Sequence, residues 1–67
     1  MRKDLLKEWM AKNRLTMNQL ARHLDVTPRT VYNRMQKGDF RAREIEQMIQ
    51  LMHITNPSEV FFGHDAN

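Results

Sequence analysis

Apolar side chains return every three or four residues along most of the chain. Leu5, Leu6, Trp9 and Met10 make one stripe, with Lys3, Lys7, Glu8 and Lys12 opposite. That period predicts a helix over residues 3–13, with Asp4 near the positive end of its dipole. Asn13 and Arg14 end it, and Leu15 leads into the next start. Thr16, with Gln19 three residues on, reads as a capping box in which each side chain satisfies the other's backbone amide. Leu20, Ala21 and Leu24 then form the buried face of a helix of barely two turns, broken at Asp25-Val26. Asp25 can take a left-handed backbone. Thr27-Pro28 follows as a second start, with a hydroxyl at the cap and proline at the first helical position. Val31 and Met35, four apart, face inward from this third helix. Gly38 ends it, since glycine adopts the left-handed closing conformation without steric cost.

Phe40 anchors the connection that follows. Residues 42–53 carry Ile45, Met48, Ile49 and Met52 at i, i+3, i+4 and i+7, the cleanest helical stripe in the chain. Ile54 closes the turn, and Asn56-Pro57-Ser58-Glu59 is another start, with Asn56 as the cap. The last helix, Pro57 to about Phe62, is too short to stand alone and must dock through Val60 and Phe61 or Phe62. Residues 63–67 read as a frayed tail. The expectation is an all-α fold of five helices forming a single domain over residues 1–67.

Composition narrows the class. The 67 residues are 40% hydrophobic and contain no cysteine, so neither disulfides nor a thiolate metal site can supplement the core. A chain of this length buries only about 60% of its unfolded surface, a thin margin. No apolar run approaches the roughly 20 residues of a membrane span. Two glycines and two prolines are too few for a hairpin-rich fold. The expectation is a soluble, intracellular domain held by packing.

Charge is more telling. All eleven Lys and Arg lie between Arg2 and Arg43, against four acidic residues there, a local net charge of +7. Residues 44–67 contain no Lys or Arg and four acidic side chains. Such asymmetry predicts a front facing a polyanion and a back with another task.

The spacing of the second and third helices brings function into view. A helix begun at Thr16, small Ala21 in its middle, a turn at Asp25-Val26 and a helix begun at Thr27-Pro28 make a helix-turn-helix. Leu15-Thr16, Leu20-Ala21, Val26-Thr27, Thr30-Val31, Gly38 and the series Ile45, Met48, Ile49, Met52 and Ile54 stand in the order and spacing of a known family. From Leu6 to Val60 the sequence resembles the lambda repressor and Cro family of phage-type regulators, the Xre family. The resemblance implies a lambda-repressor-like domain whose third helix, about residues 28–37, enters the major groove. It also implies a Cro-like repressor of a phage or prophage switch, the shortness of the chain favouring this over a full repressor. Three positions depart from the family pattern. Met17 stands where a glutamine commonly clamps a phosphate, Asp25 replaces the turn glycine, and Met10 replaces an arginine that pairs with an acid in the third helix. Met10 and Met35 therefore point to apolar packing.

The residues themselves outline a DNA face. With Val31 and Met35 inward, a 3.6-residue period puts Arg29, Asn33, Gln36 and Lys37 opposite, with Tyr32 and Thr30 on the flanks. Arg pairs with guanine O6 and N7, and Asn with adenine N6 and N7, so Arg29, Asn33, Gln36, Tyr32 and Thr30 are the expected base readers. Phosphate contacts are expected from the opening amides of the second helix at Met17 and Asn18, and from Arg22, Thr27, Lys37, Arg41 and Arg43. Arg41 and Arg43 could equally pair with Glu44 or Glu46 on the fourth helix, and Arg34 turns toward the core side.

Other chemistry is sparse. His23, His53 and His64 lack ligand spacing, so no metal or cofactor is expected. No catalytic constellation stands out, so the chain does not read as an enzyme, and no small-molecule ligand is expected. The expected partner is a double-stranded DNA operator in the cytoplasm of a bacterial host. A homodimer is expected too, formed through the acidic C-terminal third at Leu51 and one of Phe61 and Phe62, since two half-sites need a two-fold pair. The rival reading is a protein-interaction module, an antirepressor or antitoxin built on the same scaffold.

Overall fold

The computed structural model describes residues 1–63 and contains five helices: α1 (Lys3–Lys12), α2 (Met17–Leu24), α3 (Pro28–Lys37), α4 (Ala42–Met52) and α5 (Pro57–Phe62). No strand occurs among the described residues, so the all-α expectation holds. Chemical signals fix the starts of α2 and α3. Thr16 Oγ1 accepts from the Gln19 amide at 3.1 Å while Gln19 Oε1 accepts from the Thr16 amide at 2.9 Å, closing the predicted capping box. Thr27 Oγ1 accepts from the Thr30 amide at 3.1 Å, with Pro28 in the first helical position.

The ends of α1, α2, α3 and α4 share one device. Arg14, Asp25, Gly38 and His53 all take left-handed backbone, with φ of 53°, 59°, 67° and 55°. After each, the next amide reaches back to a carbonyl of the last turn: Leu15 to Met10, Val26 to Ala21, Asp39 to Arg34 and Ile54 to Ile49, at 2.9–3.2 Å. This is the Schellman closure, which commonly carries an apolar contact just beyond the helix. Leu15, Val26 and Ile54 supply that contact by packing on the core. Gly38 and Asp25 match the expectation. Arg14 and His53 carry no sequence signal for this conformation.

The core runs through all five helices. Leu6, Leu20, Leu24, Val31, Met48, Met52 and Val60 are each under 2% exposed. Val60 and Phe61 dock α5 as predicted, and the Arg2 amide donates to the Val60 carbonyl at 2.8 Å, tying the chain start to α5. The Cα radius of gyration is 10.8 Å, matching the roughly 11 Å of a compact chain of this length.

Four expectations need correction. The buried line of α4 is Glu44, Met48 and Met52, while Ile45 and Ile49 are only half-buried. The helix is turned so that Glu44, 3% exposed, faces inward to meet Arg34 of α3. Phe61 lies in the core and Leu51 packs half-buried against it, so of the three residues expected at a dimer contact only Phe62, 72% exposed, is presented to solvent. Asn56 does not cap α5 with its side chain; it accepts from Trp9 Nε1 at 2.9 Å and donates to Glu59 at 3.0 Å. Gly63, expected to begin a frayed tail, is half-buried and donates to the Glu59 carbonyl at 3.1 Å. The rest of that expected tail, 64–67, lies outside the described residues.

Candidate nucleic-acid interface

The face begins with the α2–α3 turn. Thr16 and Thr27 cap the two helices, and the left-handed Asp25 turns the chain between them within three residues. Ala21, 1% exposed, is the small residue in the middle of α2, where a larger side chain would hold the two helices apart. Val31 is fully buried and Met35 nearly so, which fixes the rotation of α3 about its axis. Arg29, Tyr32, Asn33, Gln36 and Lys37 are consequently all exposed. Arg29 and Asn33 are one turn apart on the same side, as base reading by adjacent side chains requires.

Thr30 behaves differently from the other expected base readers. It is half-buried, and its hydroxyl lies 2.9 Å from that of Thr27, so both threonines are engaged in starting α3. Gln36 is also engaged, accepting from Lys3 Nζ at 2.7 Å and donating to the Tyr32 hydroxyl oxygen at 3.1 Å. The Lys3 bond was not legible in the sequence, because the two residues lie 33 positions apart on different helices, whereas the Tyr32 bond joins residues four apart on α3.

The expected phosphate contacts divide similarly. Asn18, Arg22, Thr27, Lys37, Arg41 and Arg43 are exposed. The Met17 and Asn18 amides open α2, where backbone N–H groups lack intrahelical partners and the dipole favours an anion. The Met17 side chain is half-buried and packed against the core.

An ion pair sets the pose of α3. Glu44 accepts from Arg34 and, through its other oxygen, from the Arg41 amide at 2.9 Å. Arg34 is itself mostly buried, with a side chain 17% exposed. Both carboxylate oxygens are therefore satisfied, and no buried side-chain nitrogen or oxygen lacks a partner among the described residues. This resolves the alternative left open for Glu44, which pairs with α3 and leaves the Arg41 and Arg43 side chains at the surface.

Not all of the basic segment faces outward in the same way. The Arg2 guanidinium donates to Asp4 at 2.8 and 3.1 Å and lies 4.0 Å from Glu59. It holds the Asp4 carboxyl below the usual carboxylate range. Among the described residues there is no cluster of His, Asp and Glu able to hold a metal, and no helix long and apolar enough to cross a membrane.

Two capped helices joined by a tight left-handed turn, the second presenting an exposed polar face on a basic segment, define a helix-turn-helix DNA-binding regulator. The sequence model for bacterial regulatory proteins of the Fis family matches residues 3–38, more than half of the chain, and the protein belongs to that family. The match runs from the first residue of α1 to the glycine that closes α3, and α4 and α5 lie beyond it. No curated protein and no solved structure matches the chain significantly.

Proposed function

We propose that the protein is a sequence-specific repressor acting on a double-stranded DNA operator, of the Cro-like kind found in phage and prophage switches, and that it is not an enzyme. The observation that carries the reading is the single orientation of α3. Val31 and Met35 are sealed in the core and Arg34 is tied to Glu44, while Arg29 and Asn33 stand free on the opposite side. The Cro-like part rests on the segment after Gly38, where Ile45, Met48, Ile49, Met52 and Ile54 stand in the order the resemblance implies. On this reading Arg29 and Asn33 read bases, with Tyr32 and Gln36 beside them. Arg22, Lys37, Arg41, Arg43 and the opening amides of α2 hold phosphates. The site of action is the cytoplasm of a bacterial host.

A short recognition helix contacts only a few base pairs, so a homodimer spanning two half-sites belongs to the proposal. Phe62 is the side chain on the acidic back best placed to support it. Sedimentation of the wild type and Phe62→Ser at tens of micromolar, with and without operator, tests this. A wild type that remains monomeric even on the operator contradicts the dimer.

A mobility-shift titration against the DNA flanking the protein's own gene tests the operator reading. Binding should weaken by about 0.9 log units per log unit of salt for each phosphate neutralised. Failure to shift any DNA, together with capture of a protein partner, would favour the antirepressor or antitoxin reading instead.

A further inference from the structure

Lys3 opens α1, before the helix-turn-helix begins, yet its ammonium donates to Gln36 Oε1 at 2.7 Å. An ammonium has three donors and no acceptor, so only the oxygen of the Gln36 amide can face it. That removes the ambiguity an isolated glutamine would have. The amide nitrogen is turned toward Tyr32, whose hydroxyl oxygen accepts at 3.1 Å. Having accepted, the phenol keeps its own O–H to donate outward. Tyr32 is 53% exposed, so that donor is available to a ligand.

The chain Lys3–Gln36–Tyr32 thus changes what this end of α3 can recognise. A free glutamine offers an oxygen and an NH2 side by side, the pair that fits adenine N6 and N7. Here the oxygen faces Lys3. What this end of α3 then offers is mainly donors, the Tyr32 O–H, the second Gln36 N–H and the other ammonium protons, with one lone pair of Gln36 Oε1 left beside the Lys3 charge. In the major groove guanine presents two acceptors, N7 and O6, whereas adenine places an N6 donor beside its N7. A surface dominated by donors and a positive charge fits guanine and leaves the adenine amino group facing mostly other donors.

We propose that Lys3 is a specificity-setting residue of the DNA site. By holding the Gln36 amide in one orientation, it makes the Tyr32–Gln36 end of the recognition helix select guanine over adenine. Lys3 acts through Gln36 and is a positioning residue. The inference rests on the operator reading above, and its test separates the two.

The experiment is selection from a pool of randomised duplexes with the full chain, in parallel for wild type, Lys3→Met, Lys3→Arg and Gln36→Leu, each first checked for helicity by circular dichroism. If the wild type enriches no sequence, the operator reading itself fails. If it does, Gln36→Leu should flatten preference at one position in each half-site, and that position should be guanine in the wild-type consensus. Lys3→Met should shift the guanine-to-adenine ratio there toward adenine by about tenfold, with other positions unchanged. Lys3→Arg also presents only donors and should keep guanine. A wild-type adenine at that position would overturn the proposal. So would a Lys3→Met protein that binds all sequences more weakly but keeps the wild-type consensus, because Lys3 would then act only as a positive charge near the phosphates.

Discussion

The pair α2–α3 and the pair α4–α5 are assembled on different plans. In the first, each helix start is closed by a side chain within three residues of it: Gln19 and Thr16 for α2, Thr27 for α3. In the second, the closing groups are shared with distant parts of the chain. Glu44 closes the start of α4 and also holds Arg34 of α3. Asn56, at the start of α5, is bonded to Trp9, 47 residues away. The Asn13 amide group likewise donates to the Met52 carbonyl at the end of α4, at 3.2 Å. The recognition unit is specified locally, and the back of the molecule is specified by what it packs against. A change in the back should therefore be felt on the other helices, whereas a change at a cap in the front should be felt first by one helix.

The largest test of that contrast is Glu44→Ala. Removing one partner of a buried ion pair leaves the other charge uncompensated and costs about 3–5 kcal/mol. For a chain of 67 residues, whose whole stability at roughly 0.05–0.15 kcal/mol per residue is of similar size, the expected outcome is unfolding near room temperature. Thermal denaturation followed by circular dichroism reads it. The double change Arg34→Met with Glu44→Leu should recover much of the loss, since it leaves no orphaned charge. Equal instability in the double variant would mean that the pair is not what holds α3 to α4.

Thr16→Ala tests the local side. It removes one of the two capping bonds of α2 and should cost about 1 kcal/mol, seen as a lower urea midpoint with an unchanged denaturant slope. A smaller effect of opposite sign is expected from Asp25→Gly and His53→Gly. Both positions are left-handed, so glycine should stabilise by up to about 1 kcal/mol where relief of the side-chain penalty exceeds the added chain entropy. The smallest effect concerns Asp4. Its folded carboxyl is held below the ordinary range by Arg2, so the contribution is present at neutral pH and lost as pH falls through the folded value. An NMR titration of Asp4 in wild type and Arg2→Ala should show the carboxyl returning toward the ordinary range in the variant.

The same contrast explains what could be read from the sequence. Thr16, Gln19, Asp25, Thr27, Pro28 and Gly38 act through bonds to near neighbours, so their residue types suffice to place α2, the turn and α3. The face of α4 could not be placed in this way. Ile45, Met48, Ile49 and Met52 make a plausible stripe, but one hydrogen-bonded carboxylate outweighs two isoleucines and rotates the helix. Burying Glu44 is tolerable only because Arg34 and the Arg41 amide meet it, and nothing in the α4 segment announces Arg34, which lies on α3. The base-reading set divides along the same line. Arg29 and Asn33 follow from the inward positions of Val31 and Met35 on one helix. The state of Gln36 depends on Lys3 from another.

Comparing operator and random-sequence affinity for wild type and Arg29→Ala, at one fixed salt concentration, addresses the central claim that the outer face of α3 reads bases. Arg29→Ala should lose on the order of 1–3 kcal/mol on the operator and far less on random DNA, so that the ratio between them collapses, whereas Arg22→Ala should weaken both alike. An Arg29→Ala protein that keeps the wild-type operator preference and affinity would mean that α3 is not the helix reading the groove.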